Sequence, residues 1–218
     1  MIDVIQTVSN SPKPVIAMHF GTTPVCGDLG KMFGINACCS RNYVDPLLMN
    51  ETFGEFQNVT FVLLHAGFDF LPPDDENYYN GTLVDASIAM ASLHDNVYLE
   101  ISALHSRNND ENRTLKYPGG DEAVQKIYDA GLARKVIWAS DGNHNQGGML
   151  MNLERGIESM IKAGFSDEER CSALTDLPRR VYGMELPAGD RSTGTSPIAN
   201  LQLVVSLSIC VIIALLAF

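Results

Sequence analysis

Apolar positions come in short unbroken runs, each closed by turn residues, with stretches of helical spacing between them. The clearest run is Val59-Thr-Phe-Val-Leu-Leu-His-Ala-Gly67. An apolar run of this length, bounded by turn residues, predicts a strand of a parallel sheet covered on both faces. Pro14-Val-Ile-Ala-Met-His-Phe-Gly21, Asn96-Val-Tyr-Leu-Glu-Ile-Ser-Ala103 and Lys135-Val-Ile-Trp-Ala-Ser-Asp-Gly142 have the same form. Helical patterns lie between. Thr82 to His94 is rich in small and apolar residues. Asp121 to Ala130 places Val124, Ile127 and Tyr128 on one face and ends at Gly131. Met149 to Ala163 repeats Leu150, Leu153, Ile157 and Met160 at helical spacing, with Gly147-Gly148 leading in and Gly164 stopping it. Ser166-Asp-Glu-Glu169 is a capping box that opens one more helix. At the start, Met1 to Ser9 reads as the end of a helix with Ile2, Ile5 and Val8 on one side. Part of Asp45 to Phe56 reads as helix within a loop-rich stretch. Four strands alternating with helices predict βα units and a parallel α/β sheet whose strand ends share one face.

The pattern changes at the C-terminus. Leu201 to Phe218 carries no charge and has no polar face. As a helix it would span about 27 Å, close to a bilayer core. A small, polar stretch, Ala188 to Ser196, precedes it. Small residues, a polar spacer and a terminal apolar tail form the pattern of a GPI-attachment signal, with Asp190, Ser192 or Gly194 as attachment candidates. The other reading is a tail anchor left in place. Sequons at Asn50, Asn58, Asn80 and Asn112 agree with a secretory route. The expected location is therefore a membrane, at the cell surface by a GPI anchor or otherwise tail-anchored. The N-terminus lacks the basic and apolar regions of a signal peptide, and the expectation drawn from this is that an N-terminal part is missing.

Net charge is −11 at pH 7, which argues against a nucleic-acid partner, since phosphate binding needs clustered Lys and Arg. Cys26, Cys38, Cys39, Cys171 and Cys210 show no CxxC spacing, so a zinc knuckle is not expected. Cys26 paired with Cys38 or Cys39 and small buried thiols are both open readings.

Three of the predicted strands end in side chains of metal-ligand type: His19, His65 and Asp141. Open α/β sheets and α/β barrels place their chemistry at strand C-termini. Bland readings stand beside each. His65 can be a hydrogen-bonded core histidine, and Asp141 can cap its Asp-Gly turn. His144 reads as a loop residue, His94 and His105 as surface, Glu100 as structural, Asp69 as a supporting residue and Trp138 as core.

Taken in order, KPVIAMHFG, VTFVLLHAG, NVYLEISAL, KVIWASDG and GFSDEERCSALTDLPRRVYG resemble the C-terminal half of the amidohydrolase-related metal-dependent hydrolases, the branch that includes aminocarboxymuconate-semialdehyde decarboxylase-like enzymes. The resemblance covers about Ile2 to Gly183. It implies a (β/α)8 TIM barrel, of which these would be strands five to eight. It makes His19 the strand-five metal ligand, His65 the strand-six histidine that binds metal or polarises substrate, and Asp141 the strand-eight aspartate that binds metal and shuttles a proton. A divalent metal, with Zn²⁺ as the expected ion, suits imidazole and carboxylate donors. The strand-one His-x-His pair is absent, strands one to four are absent, and Leu177 stands where the family often has asparagine. A full barrel takes about 250 residues. The expectations are thus a half-barrel domain over residues 1–186, a linker over 187–200 and the hydrophobic tail over 201–218. The expected function is that of a metal-dependent hydrolase, or a lyase or decarboxylase, acting on a small organic substrate, in a chain that is a fragment. The alternative is a catalytically inactive, membrane-anchored surface or binding protein. Oligomeric state is not legible.

Overall fold

The apolar runs do pair as one parallel sheet in strand order β1-β2-β3-β4, as seen in a computed structural model that describes residues 2–22, 44–70, 78–104, 119–140 and 146–184. The strands are β1 (Val15–His19), β2 (Thr60–Leu64), β3 (Val97–Glu100) and β4 (Val136–Ile137). Their register sets His19 beside Leu64, Leu63 beside Leu99, and Glu100 beside Ile137. The four strands therefore run together and end on one rim, as βα alternation requires.

Alternation along each strand divides the sheet into two faces. Phe61, Leu63, Val97, Leu99 and Val136 lie in the main core, with Ile16 and Met18 against it. The helices α3 (Thr82–Leu93), α4 (Gly120–Asp129) and α5 (Gln146–Ala163) contribute Val84, Met90, Ala123, Val124, Ile127 and Met160 to that core. The opposite face presents Val62 and Ile137, with Val15, Leu64 and Tyr98 beside them, and is met by Leu177 and Val181. Those two residues come from the last helical segment. It runs as α6 (Asp167–Cys171), a π turn (Ser172–Asp176) and α7 (Leu177–Tyr182). Before the sheet lies α1 (Ile2–Ser9), and α2 (Asn50–Glu55) follows a 3₁₀ turn over Pro46–Met49. Four parallel strands in sequential order, with α3 to α5 on one face and α7 against the other, form an α/β sheet consistent with part of a (β/α)8 barrel.

Several local signals are met atom for atom. The Ser166 hydroxyl accepts from the Glu169 amide while the Glu169 carboxylate accepts from the Ser166 amide, a complete capping box. Lys135 Nζ donates to the carbonyls of Ala91 and His94 at 2.7 Å each, satisfying the end of α3. Asn96 Nδ2 donates to the carbonyls of Phe53, Phe56 and Val59, tying the end of α2 to the starts of β2 and β3.

Other expectations need correction. In α1 only Ile5 is buried, and Ile2 stands 53% exposed, so the helix is anchored by one side chain and not by a stripe. Gly147 and Gly148 do not lead into α5 but lie inside it; a glycine weakens a helix by about 1 kcal/mol without forbidding it. His94 is half-buried, its Nε2–H donating to Asn50 Oδ1 over 2.8 Å and its ring set edge-on to Phe53.

Asp141, His105, His144, Asn112, four of the five cysteines, the linker and the tail lie outside the described residues. No helix among the described residues is long and apolar enough to cross a membrane.

Candidate functional site at the strand ends

β1 and β2 deliver the two predicted histidines side by side. His19 is the last residue of β1 and is exposed; His65 follows β2 directly and is only 8% exposed. Their rings stand 4.9 Å apart, centroid to centroid, with planes at 69°. Phe70 closes the other side of His65 at 5.3 Å, nearly perpendicular to it.

The backbone at this rim is unusual. His65, Ala66 and Gly67 have φ of 56°, 50° and 70°, and Ala103, past the end of β3, has 59°. A left-handed residue other than glycine costs about 1–3 kcal/mol and persists only where its surroundings over-determine it. Here the over-determining group is Glu100. The residue is 1% exposed and its side chain spans two strand ends. One oxygen accepts from the Ser102 amide at 2.6 Å; the other accepts from the His65 amide at 3.2 Å and the Ser102 hydroxyl at 2.7 Å. Burial pushes the Glu100 carboxyl above the usual carboxylate range, against the pull of the Ser102 hydroxyl and of His65. Tyr182, on α7, is pushed up by its own burial and then by the nearby Glu100.

The imidazole of His65 is oriented by the same residues. Its Nδ1 lies 3.0 Å from the Ser102 carbonyl oxygen and 3.0 Å from the Ser102 hydroxyl. A carbonyl only accepts, so Nδ1 carries the proton and Nε2 keeps its lone pair.

A second tie joins the loops leaving β1 and β2. The buried Thr22 hydroxyl donates to the Asp69 carboxylate and accepts the Phe70 amide at 3.0 Å, and the Tyr79 amide donates to the other Asp69 oxygen. Gly21 makes this approach feasible: at φ 85°, a side chain there would run into the backbone of Gly67 and Phe68. A cavity of about 230 Å³ lies alongside, lined among others by Phe68, Asp69, Tyr78, Gly81, Val84 and Lys126. Neither histidine lines it, so the histidine pair and this cavity are distinct features of the structure.

The third predicted residue, Asp141, lies outside the described residues; the chain is described as far as Ser140, whose carbonyl accepts from Asn152 of α5 at 3.2 Å. Among the described residues no group of three or more metal-type side chains converges. Sequence reasoning missed the part played by Glu100 and Ser102. The available signal was a carboxylate in an otherwise apolar strand, two residues before a serine and so on the same face.

The donor set fits a divalent metal: an imidazole with a fixed tautomer beside a second, exposed imidazole. Two imidazoles sharing one tetrahedral ion stand about 5 Å apart between centroids, taking about 2.0–2.1 Å for each metal–nitrogen bond.

No curated protein sequence matches the chain. Among solved structures, a probable 2-pyrone-4,6-dicarboxylic acid hydrolase from Acinetobacter baumannii, with citric acid bound, is 16% identical with a TM-score of 0.44. The similarity covers 77% of this chain and 63% of that one. Amidohydrolase 2 from Bifidobacterium longum subsp. infantis is 19% identical with a TM-score of 0.38, over 69% of this chain and 53% of that one. The chain thus spans less than two thirds of the length of either. An amidohydrolase family model matches residues 14–184, from the residue before β1 through α7 to the end of the described chain. With most of its length, all four strands and both strand-end histidines inside that match, the chain belongs to the amidohydrolase family.

Proposed function

We propose that this domain takes part in metal-dependent hydrolysis, or a related lyase reaction, of a small organic substrate, with His19, His65 and Asp141 as the groups that would hold a divalent ion such as Zn²⁺. The observation that carries the reading is the pairing of two strand-end histidines at 4.9 Å, one of them held as the Nδ1–H tautomer. When bound, the ion would supply a water acidified to a pKa of about 7 and a Lewis acid for a substrate carbonyl. The residues do the rest. His65 offers Nε2 as ligand or hydrogen-bond acceptor, and Asp141 takes up and returns a proton. Phe70 packs edge-on against the His65 ring.

Strands β1 and β4 lie three strand spacings apart, about 14 Å along the sheet. Histidines on an open four-stranded sheet lack the closed surround that fixes ligand orientation, so zinc binding by the chain alone is expected to be weak. Calorimetric titration of the full chain with Zn²⁺ tests this. The wild type is expected to bind one ion, and His19→Ala and His65→Ala each to lower the affinity by at least about tenfold. Equal binding by both variants would sink the assignment. No binding by the wild type would favour a catalytically inactive domain.

A further inference from the structure

We propose that Glu100 and Ser102 form a buried positioning pair that fixes the tautomer of His65 and so decides which ring nitrogen faces the strand-end site. The inference rests on the reading of His65 as a site residue.

A carboxylate in a parallel strand is costly to bury unless it is hydrogen-bonded and compensated. The strand neighbours of Glu100 across the ladder and two residues before it, Ile137 and Tyr98, are apolar or aromatic. An apolar side chain would fill the position without desolvating a charge. No lysine or arginine among the described residues pairs with Glu100; beside it lies the imidazole of His65, with Nδ1 3.9 Å from Oε2. What the carboxylate does gain is three hydrogen bonds, all from the two residues that flank the ring: the His65 amide, the Ser102 amide and the Ser102 hydroxyl.

The direction of the hydroxyl is the decisive point. Because Ser102 Oγ–H donates to Glu100 Oε2, it turns a lone pair toward the imidazole, 3.0 Å away. Nδ1–H then meets two acceptors, the Ser102 carbonyl and the Ser102 hydroxyl. Without the carboxylate, the hydroxyl is free to rotate and donate to Nδ1 instead. That would favour the Nε2–H tautomer and consume the lone pair that a metal or a substrate proton needs. Glu100 also holds the His65 amide, which keeps the left-handed backbone that aims the ring. Neither Glu100 nor Ser102 needs to touch substrate; both act through His65.

The test is long-range ¹H–¹⁵N NMR on the full chain labelled at histidine, recorded well above the ordinary histidine titration range, with His65 assigned by its loss in His65→Gln. In the wild type, His65 is expected to show a pyrrole-like Nδ1 and a pyridine-like Nε2. In Glu100→Ala the Nε2 signal should move toward the pyrrole-like position, with Glu100→Gln intermediate, while the His94 signals stay in place. Ser102→Ala, which keeps the carbonyl acceptor, should retain Nδ1–H. Should Glu100→Ala fail to fold, Glu100→Gln and the wild type still decide. A wild type in the Nε2–H form overturns the proposal, as does a folded Glu100→Ala or Glu100→Gln that keeps the wild-type tautomer. Adding Zn²⁺ to the wild type separates this from the metal reading. A fixed Nδ1–H tautomer with an Nε2 signal that zinc leaves unmoved keeps the positioning pair and rejects the metal.

Discussion

The hydrogen bonds to Glu100 offset only part of its desolvation cost, and that has a consequence for stability. Burial raises its pKa in the folded chain above the unfolded value. The folded state then holds the Glu100 proton more tightly than the unfolded state does. By linkage, this residue favours folding below the unfolded pKa, and the benefit is lost as pH rises through the folded one. Urea midpoints of wild type and Glu100→Gln, measured from about pH 4 to pH 7, isolate the effect, since other carboxylates cancel in the difference. The wild type is expected to lose stability relative to Glu100→Gln as pH rises; a flat difference would contradict it. At this scale the sequence made His19 and His65 legible, because each closes an apolar run. Glu100 and Ser102 were less so. Their role depends on a hydrogen-bond direction across two strands, and no spacing within one strand encodes that.

Turns at element ends divide into those set by conformation alone and those set also by space. Gly131, which ends α4, has φ 73° with nothing within 4 Å of an added side-chain carbon. Gly67, which ends the turn after β2, has φ 70° and would place such a carbon 2.8 Å from the Leu83 carbonyl oxygen and against the Ser87 hydroxyl. Replacing Gly131 by alanine should cost about 1 kcal/mol, from the left-handed backbone alone. The same change at Gly67 adds overpacking and should cost about 2–4 kcal/mol. Denaturant midpoints at unchanged m check both, and equal losses would refute the distinction. Helices and strands were readable because local chemistry and burial agree, as at the capping box and in β2, whose buried positions Phe61, Val62 and Leu63 are all apolar. Where they disagree the reading slipped. The examples are α1, where one side chain is buried in place of a stripe, and α5, which runs through two glycines.

Among the described residues, one parallel sheet separates two apolar layers; parallel pairing followed from the alternation of elements, and the sequential strand order from the resemblance to a barrel. What could not be read was how the last segment meets the sheet. The π turn leaves the Ala173 carbonyl unused within its own helix, and that oxygen accepts from the Trp138 amide at 3.0 Å. A bond of that kind depends on one extra residue in a helical turn, which no hydrophobic periodicity reports. The Trp138 ring packs on α5 at Gly156, where an added side-chain carbon would fall 2.9 Å from ring Cδ1. Trp138 is also the chain's one tryptophan. The protein thus carries a built-in optical gauge at the junction of β4, α5 and the π turn, blind to the rest of the sheet. Gly156→Ala should push the indole outward, red-shifting its emission while lowering stability by about 1–3 kcal/mol; an unshifted spectrum would mean that the ring does not rest on the glycine. In unlabelled wild type, the same light tells when the C-terminal layer lets go of the sheet, and far-UV dichroism tells when the helices themselves melt, so the order of the two events can be read from one sample.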